Sequence, residues 1–318
     1  MLIMMMLLKR YLGGESTCTW SQYSVSSDFD HRLRFVCNTS GSGKTRRILE
    51  GLTKSWGLYF VAARDNNGVG VNDLEAAMDG IGRYQDWTED ISSYVGPARD
   101  DRNKSNIHIS NRAIRKVLAA RLVVFRSFLQ LAKARDGYVG PKHQRLWLLF
   151  QLSNPLPGFE TPHPFVMMNE CLNRASDGAL RTLIQDFEQI RLEYFPETRF
   201  TIALDEAQQA VRYRFCFLSS GEPFKLRSIL CEIVKVFSSL SVRIVVSGTG
   251  LSLEEVEDAR NSSVGKPLGQ FETFVELGMF DNPLKLEATL QRYIPASILQ
   301  SPSGKSLRTR IREYLPGR

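Results

Sequence analysis

The feature that most constrains this chain is a glycine-rich segment that directly follows a short apolar run. The apolar run is Leu33–Cys37, and the segment Asn38–Thr45 reads Asn-Thr-Ser-Gly-Ser-Gly-Lys-Thr. Gly41 and Gly43 allow the backbone to turn tightly and to approach a ligand, because neither carries a Cβ atom. Backbone amides at the start of a following helix attract anions. The pattern therefore predicts a strand, a phosphate-binding loop and a helix in succession.

The residue types of this segment match the Walker A motif of nucleoside-triphosphate sites. The Lys44 ammonium can reach the outer phosphates, and the Thr45 hydroxyl can ligate Mg²⁺. The other candidate nucleotide-binding residues are Ser40, Gly41, Ser42, Gly43 and Arg46. The usual pattern begins with a glycine, where this chain has Asn38. Asparagine adopts positive φ more readily than most residues, so this departure is compatible with the loop.

A second apolar run, Phe200–Leu204, ends in two carboxylates and resembles a Walker B strand. We expect Asp205 to hold Mg²⁺ directly or through water. We expect Glu206 to polarise the attacking water as a general base. A competing interpretation makes Asp205 the N-cap of the next helix. Together with the glycine loop, the two carboxylates favour a hydrolysing ATPase with Lys44 and Glu206 as its catalytic residues.

A third apolar run, Val242–Val246, is followed by small hydroxyl residues. Ser247 and Thr249 are candidate sensors of the γ-phosphate, but such hydroxyls are also typical of a helix cap, and the sequence leaves both interpretations open. Arg260 is a candidate arginine finger by position only, and a solvated helix residue is the competing account.

Apolar strands that alternate with helices predict an α/β fold with a parallel sheet flanked by helices on both faces. Such sheets bind ligands at the carboxyl ends of their strands. The predicted strands are 33–37, 58–62, 200–204, 242–246 and 271–277. The predicted helices are 44–54, 72–78, 111–133, 143–152, 169–194, 224–240, 283–293 and 303–314, and Asp177-Gly178 is a candidate break within 169–194. We divide the chain into a loose N-terminal extension (1–30), a nucleotide-binding core (31–280) and a partial helical C-terminal region (281–318).

Composition is typical of an ordinary globular protein, with 318 residues, 43% hydrophobic and 24% charged. The five cysteines are scattered, without a Cys-x-x-Cys pair or a nearby histidine cluster. This argues against a structural zinc site or a disulfide framework and favours reduced thiols inside a cell. No apolar stretch reaches membrane length, so we expect no membrane partner. The apolar start, Met1–Leu8, lacks the features of a signal peptide, and we expect a docking strand or a wrongly assigned start codon there.

The positive charge is unevenly distributed along a chain whose net charge is +7. Residues 102–135 contain nine Lys or Arg and no Asp or Glu, and residues 305–318 are also basic. The predicted helix 111–133 carries its basic stripe at Arg112, Arg115, Lys116, Arg126 and Lys133. Such a stripe is typical of a solvated face and is also compatible with nucleic-acid binding. A nucleic-acid-binding protein that uses this helix therefore remains an alternative.

Other nucleotide-binding classes fit the sequence less well. Asp65–Gly68 fits the Asp-x-x-Gly motif of GTPases, and Asn103–Asn106 nearly fits Asn-Lys-x-Asp but lacks the closing aspartate. In a small-molecule kinase, the pair Asp205 and Glu206 would have no assigned role. A nucleotide-gated binding scaffold with little hydrolysis stays open beside the ATPase.

Several segments of the chain resemble one known family. They are residues 39–46, 49–52, 56–60, 204–208, 246–250 and 314–318. In these segments the chain resembles the P-loop NTPase domain of Crinkler-type effector-like proteins of fungi, over roughly residues 32–318.

The resemblance implies an ASCE-like (additional-strand, catalytic-glutamate) ATPase that uses ATP and Mg²⁺. It also implies an intracellular switch or effector module in the cytoplasm or nucleus, including that of a host cell, with no protein partner indicated. The chain departs from the family in two respects, since it has no translocation motif near its start and no nuclease domain after Arg318. The family's NTPase region continues past this point, so we expect the chain to be a partial one.

Overall fold

The computed structural model describes most of the chain, in eight segments. They are residues 33–37, 44–63, 69–153, 162–213, 216–218, 225–262, 272–274 and 295–314. Four predictions lie outside the described residues: the extension 1–30, the loop 38–43, the segment Asp65–Gly68 and the helix 283–293. The proposed division of the chain into three regions stays a prediction.

The centre of the structure is a parallel sheet of five strands. They are β1 (Leu33–Cys37), β2 (Gly57–Val61), β3 (Thr201–Asp205), β6 (Arg243–Gly248) and β7 (Glu272–Phe274). The strand order is β2-β3-β6-β1-β7, and every neighbouring pair is parallel. A separate antiparallel pair consists of β4 (Phe217–Leu218) and β5 (Leu226–Arg227). The predicted α/β class and parallel sheet are confirmed. The first four predicted strands are present with differences of at most two residues at their ends, and the described part of the fifth, Glu272–Phe274, is a strand.

The described residues also form helices. They are α1 (Lys44–Leu52), α2 (Asp73–Ile81), α3 (Gly96–Asp136), α4 (Pro141–Leu152), α5 (Pro164–Cys171), α6 (Asp177–Gln185), α7 (Phe187–Tyr194), α8 (Gln208–Val211), α9 (Ile229–Phe237), α10 (Leu253–Ser262), α11 (Ala296–Gln300) and α12 (Pro302–Tyr314). A short 3-10 turn, Leu172–Arg174, follows α5. The C-terminal helix predicted at 303–314 is confirmed as α12. No helix within the described ranges is long and apolar enough to cross a membrane.

Each face of the sheet has its own apolar core, because side chains alternate between the two faces along each strand. The smaller core packs α1 and α4 against one face. It consists of Val36, Ile48, Leu52, Tyr59, Val61, Leu148, Ala203 and Val245. The larger core lies on the opposite face and includes the neighbouring strand residues Phe35, Phe60, Ile202, Leu204 and Val246, with side chains of α3 and α9. Both faces are therefore covered, as the continuous apolar strands predict.

The long helix α3 is the main correction to the predicted elements. It has 41 residues and begins at Gly96, whereas the apolar pattern predicts a start near Asn111. The first turns of α3 are polar, so hydrophobic periodicity does not reveal them. Inside them, the buried Asn106 donates to the carbonyl oxygens of Thr88 at 2.7 Å and Cys216 at 2.8 Å. At the other end, Gly137 adopts a φ of 77° and donates to the Lys133 carbonyl, which ends the helix at Asp136.

Two further predicted helices are shorter than expected. The stretch 169–194 is divided among α5, the 3-10 turn, α6 and α7. The break before α6 arises because the Ser176 hydroxyl accepts a hydrogen bond from the Ala179 amide, which starts a new helix. The stretch 224–240 contains β5 before α9 begins at Ile229. The Arg227 guanidinium donates to the Leu218 carbonyl at 2.8 Å, and this bond holds β5 against β4.

A buried ion pair connects α3 to α2 and to the sheet. Arg121 is fully buried, and it donates to both carboxylate oxygens of Asp73, at 2.8 and 2.5 Å. It also donates to the Tyr59 carbonyl at 2.5 Å, and its guanidinium lies over the rings of Phe60 and Phe165. Arg121 is therefore an interior residue, although it lies within the basic segment 102–135 of the sequence.

Candidate functional site

The three strands that precede the sequence motifs end at the same edge of the sheet. β6 lies between β1 and β3, and in the pairing register Cys37 stands beside Gly248 while Leu204 stands beside Val246. Because all these strands are parallel, the residues that follow them meet at one edge. This edge, from the start of α1 to the turns after β3 and β6, is the candidate functional site.

Asp205 is held in place at the end of β3 by several hydrogen bonds. The side chain is buried, and its Oδ2 atom accepts from the Thr45 hydroxyl at 2.6 Å and from the Tyr59 hydroxyl at 3.1 Å. Its Oδ1 atom accepts from the Glu206 amide at 3.0 Å. The N-cap position of α8 is occupied by Ala207 instead. The interpretation of Asp205 as a helix cap is therefore wrong.

Lys44 begins α1, close to both carboxylates. Only 7% of the residue is exposed, and burial lowers the pKa of its ammonium group from the usual 10.5. The negative charges of Asp205 and Glu206 raise this pKa and partly offset the effect of burial. Among the described residues, the Lys44 cation thus faces the negative charges of two carboxylates. Electrostatic interactions act more strongly in a buried place than in water.

The structure describes only one of the other predicted nucleotide-binding residues, Arg46. Ser40, Gly41, Ser42 and Gly43 lie outside the described residues. Arg46 is exposed on α1, where its Nε atom donates to the Glu50 carboxylate at 2.8 Å, one helical turn further along.

Glu206 has an uncommon backbone conformation. Among the residues that the structure describes, it is the only non-glycine residue with a positive φ, at 54°. Its carboxylate Oε2 atom accepts a hydrogen bond from the side-chain amide of Gln208 at 2.5 Å. A left-handed non-glycine residue costs about 1–3 kcal/mol and is often found at functional sites. The turn that carries the predicted base is thus strained and is held by the residue two positions later.

The end of β6 contacts the turn that carries Glu206. The Ser247 carbonyl accepts from the Ala207 amide at 2.9 Å, and the Thr249 amide donates to the Gln208 side-chain oxygen at 2.9 Å. Ser247 is fully buried, and its hydroxyl has no hydrogen-bond partner in the described part of the chain. A buried unsatisfied hydroxyl is rare and calls for an explanation, such as an absent ligand or water.

The helix after β6 has its own cap. The Ser252 hydroxyl accepts from the Glu255 amide at 3.2 Å, and the Glu255 carboxylate accepts from the Ser252 amide at 2.9 Å. This reciprocal pair is a capping box. Ser252 and Glu255 therefore cap α10 in place of Ser247 or Thr249, and the sensor role of the latter two residues stays a prediction. Arg260 lies on α10, but its side chain is outside the described part of the structure.

Sequence reasoning misses two residues of this site, Tyr59 and Gln208. Tyr59 lies within the apolar run of β2, and a buried tyrosine hydroxyl usually needs a polar partner, so a signal was present. Gln208 stands two residues after Glu206, but its contact with Thr249 depends on the fold and has no local sequence signal.

The near-match to the guanine-reading motif of GTPases is part of the scaffold. Residues 103–106 lie inside α3, where Asn106 is buried and the Asn103 side chain accepts a hydrogen bond from the Leu218 amide at 2.9 Å. Both asparagines hold neighbouring segments together. The GTPase interpretation of this segment is therefore wrong.

The basic stripe of α3 is partly neutralised by its neighbours. Arg112 forms an ion pair with Asp177 at the start of α6, and Lys133 lies 3.5 Å from Glu193 on α7. Arg121 points into the interior, whereas Arg126 is exposed. Fewer charges of the run are thus available to a nucleic-acid backbone than the sequence suggests.

The donor atoms at the site suit a hard cation. The Thr45 hydroxyl and the Asp205 carboxylate are oxygen ligands of the kind that Mg²⁺ uses together with phosphate oxygens and water. Within the described ranges, no group of three or more His, Cys, Asp or Glu side chains could hold a metal ion by itself.

Comparison of the chain with protein-family models, with curated proteins and with solved structures found no match.

Proposed function

We propose that this protein binds ATP with Mg²⁺ at the sheet edge described above and hydrolyses the γ-phosphate bond. The observation that carries the proposal is the hydrogen bond between the Thr45 hydroxyl and the Asp205 carboxylate, at 2.6 Å. These residues are 160 positions apart, and the sequence assigns each to a different half of a nucleotide site. Their direct contact supports a shared metal-binding role.

The strand order supports an ASCE-like P-loop architecture for this site. β6 is inserted between β1, which precedes the glycine loop, and β3, which carries the two carboxylates. An additional strand at this place, together with a glutamate directly after the metal-binding aspartate, is the combination that the ASCE class is named for. The candidate sensors Ser247 and Thr249 follow the inserted strand.

Each residue at this edge has its own role in the transfer of the γ-phosphoryl group to water. Lys44 binds the outer phosphates, and Thr45 and Asp205 would hold Mg²⁺, which supplies neutralisation of the phosphate charge. Glu206 orients the attacking water and accepts its proton as the bond to phosphorus forms. Ser247, a buried hydroxyl at the same edge, is suited to donate a hydrogen bond to the terminal phosphate.

The binding half of the proposal is tested with a non-hydrolysable ATP analogue. We expect the wild-type protein to bind it in the presence of Mg²⁺ and Lys44→Ala to lose binding, because a buried cation that faces the phosphates is removed. Lys54→Ala is the matched control, since Lys54 is exposed beyond the end of α1, and it should bind as the wild type does. Absence of binding by the wild-type protein would refute the proposal. Competition by GTP in the same titration decides the base preference.

The alternative of nucleic-acid binding is tested in parallel. Titration with duplex DNA at increasing salt should show affinity that falls steeply if the basic stripe binds phosphates. Charge reversal at Arg115 and Arg126 should then weaken binding. Unchanged binding by this variant would remove the stripe as a nucleic-acid surface.

The resemblance to Crinkler-type proteins supports a wider context for this activity. We place the proposed ATPase inside a cell, in the cytoplasm or nucleus and including that of a host cell, as a switch or effector module. A nucleotide-gated scaffold with little hydrolysis would share the binding result and differ only in turnover.

A further inference from the structure

Gln208 connects the predicted general base to the end of β6. Its side-chain amide nitrogen donates to Glu206 Oε2 at 2.5 Å, and its side-chain oxygen accepts from the Thr249 amide at 2.9 Å. Both ends of the carboxamide are therefore in use, one on each of two strand ends. No other described side chain makes a hydrogen bond to the Glu206 carboxylate.

We propose that Gln208 is a positioning residue that aims the Glu206 carboxylate and couples it to the candidate sensors after β6. This inference rests on the proposed ATPase function, because it assigns a role within the same site. Gln208 itself does not contact the reacting atoms in this account. It acts through Glu206.

The bond from Gln208 orients the carboxylate of the predicted base, Glu206. A glutamate side chain has three rotatable bonds, and a general base works only when its oxygen lies within reach of the proton that it accepts. The Glu206 backbone is already fixed in a strained conformation, with its amide bonded to Asp205. The bond from Gln208 then fixes one carboxylate oxygen, Oε2, and a carboxylate bound in this way can still accept a proton at Oε1.

Gln208 also couples Glu206 to the end of β6. A Cβ atom on Gly248 would lie 2.8 Å from the Gln208 side-chain oxygen and 2.7 Å from Leu251, so a larger residue at this position would displace the ends of both side chains. The adjacent backbone is bonded as well, because the Ala207 amide donates to the Ser247 carbonyl. A shift of Ser247 or Thr249 on phosphate binding would therefore move Gln208, and Gln208 would move the carboxylate.

The buried Ser247 hydroxyl gives this coupling a physical input. It has no partner among the described residues, and it lies on the strand whose end holds Gln208. A phosphate oxygen that accepts its hydrogen bond would stabilise one position of the strand end. The bound state of the nucleotide would thus be transmitted to Glu206 through the two hydrogen bonds of the Gln208 carboxamide.

The test compares steady-state ATP hydrolysis by Gln208→Ala with the wild-type enzyme. We expect kcat to fall by about 10- to 100-fold, the effect of one hydrogen bond to a charged group. The KM for ATP and the affinity for the non-hydrolysable analogue should stay unchanged, because Gln208 does not hold the nucleotide. Gln209→Ala is the matched control: the same residue type at the next position of α8, without a described side-chain bond to Glu206 or Thr249, and it should keep wild-type kcat.

A double variant distinguishes positioning from a general structural effect. In the Glu206→Gln background, adding Gln208→Ala should cause no further loss of residual turnover, because its effect passes through the Glu206 carboxylate. Additive losses would overturn the proposal. If Gln208→Ala does not fold, Gln208→Glu keeps the side-chain shape but replaces the donor by an acceptor, and the same loss of kcat is expected.

The remaining outcomes separate this inference from the proposed function. A wild-type protein that binds no ATP analogue contradicts both. A wild-type enzyme that hydrolyses ATP while Gln208→Ala matches it in kcat contradicts this inference alone. A higher kcat in Gln208→Ala would show that Gln208 restrains Glu206, and it would also overturn the positioning role.

Discussion

The Thr45 hydroxyl donates a hydrogen bond to Oδ2 of Asp205 over 2.6 Å. Thr45 lies in the first turn of α1 and Asp205 ends β3, so the bond ties the helix after the glycine loop to the strand of the carboxylates. The same oxygen accepts from Tyr59, which anchors it from β2. Thr45 and Tyr59 thus share one acceptor atom on β3, a strand that is remote from both in sequence, and this atom is the centre of the candidate site.

Removal of the Thr45 hydroxyl should weaken Mg²⁺-dependent nucleotide binding. We expect Thr45→Ala to reduce the affinity for the ATP analogue by about 10- to 100-fold with Mg²⁺ present, since a hydrogen bond or ligand bond to a charged group is lost. Thr45→Ser keeps the hydroxyl and should bind nearly as the wild type does. Equilibrium titration of the three proteins with and without Mg²⁺ measures this. Equal loss in both variants would contradict a role for the hydroxyl.

Removal of the Tyr59 hydroxyl should destabilise the fold. Tyr59→Phe deletes a buried hydrogen bond to the Asp205 carboxylate, and we expect the free energy of unfolding to fall by about 1.5–3 kcal/mol. Tyr84→Phe is the control, because Tyr84 is 49% exposed and its hydroxyl can bond to water. Urea unfolding of both variants gives the comparison. Equal stability of Tyr59→Phe and the wild type would mean that Asp205 does not depend on this donor.

Loss of the buried cation Arg121 should have a larger effect. Arg121→Met leaves the buried Asp73 carboxylate without its counterion, and we expect a loss of about 3–5 kcal/mol. Arg126→Met removes a cation of the same helix that is exposed, and its effect should stay within about 0.5 kcal/mol. Thermal or urea unfolding distinguishes the two. Similar small effects would contradict the burial of Arg121.

Nucleotide affinity should decrease at alkaline pH because of Lys44. Burial lowers its pKa below the usual 10.5 in the nucleotide-free protein, and bound phosphates favour the charged form and raise the pKa again. Binding therefore takes up a proton once the pH exceeds the lowered pKa. Analogue affinity should therefore fall as the pH rises through the lowered pKa of Lys44, which lies below 10.5. Affinity that is independent of pH over this range would contradict contact between Lys44 and the phosphates.

Local patterns were sufficient to predict the elements that carry the motifs. The apolar runs before Lys44, Asp205 and Ser247 are short, continuous and followed by polar residues, and each is a strand of the parallel sheet. Their meeting at one edge follows from parallel pairing alone. The order of the strands, with β6 between β1 and β3, depends on long-range pairing that no local pattern encodes.

The misjudged residues differ in how far the sequence could have revealed them. Arg121 stands at helical spacing from Leu118 and Phe125, so its position on the apolar face was available from periodicity, although its partner Asp73 was not. The polar start of α3 depends on bonds such as those of Asn106, which distant backbone groups supply. Gln208 needs Thr249, 41 residues further on, before its role can be seen.

The most direct test of the account is phosphate release from ATP by the wild-type protein and by Glu206→Gln. The account predicts Mg²⁺-dependent release by the wild type, and a loss of about 10²- to 10⁴-fold in Glu206→Gln because the general base is removed. The variant should still bind the ATP analogue as tightly as the wild type. Release by Glu206→Gln at the wild-type rate, or no release by the wild type above the protein-free blank, would contradict the central claim.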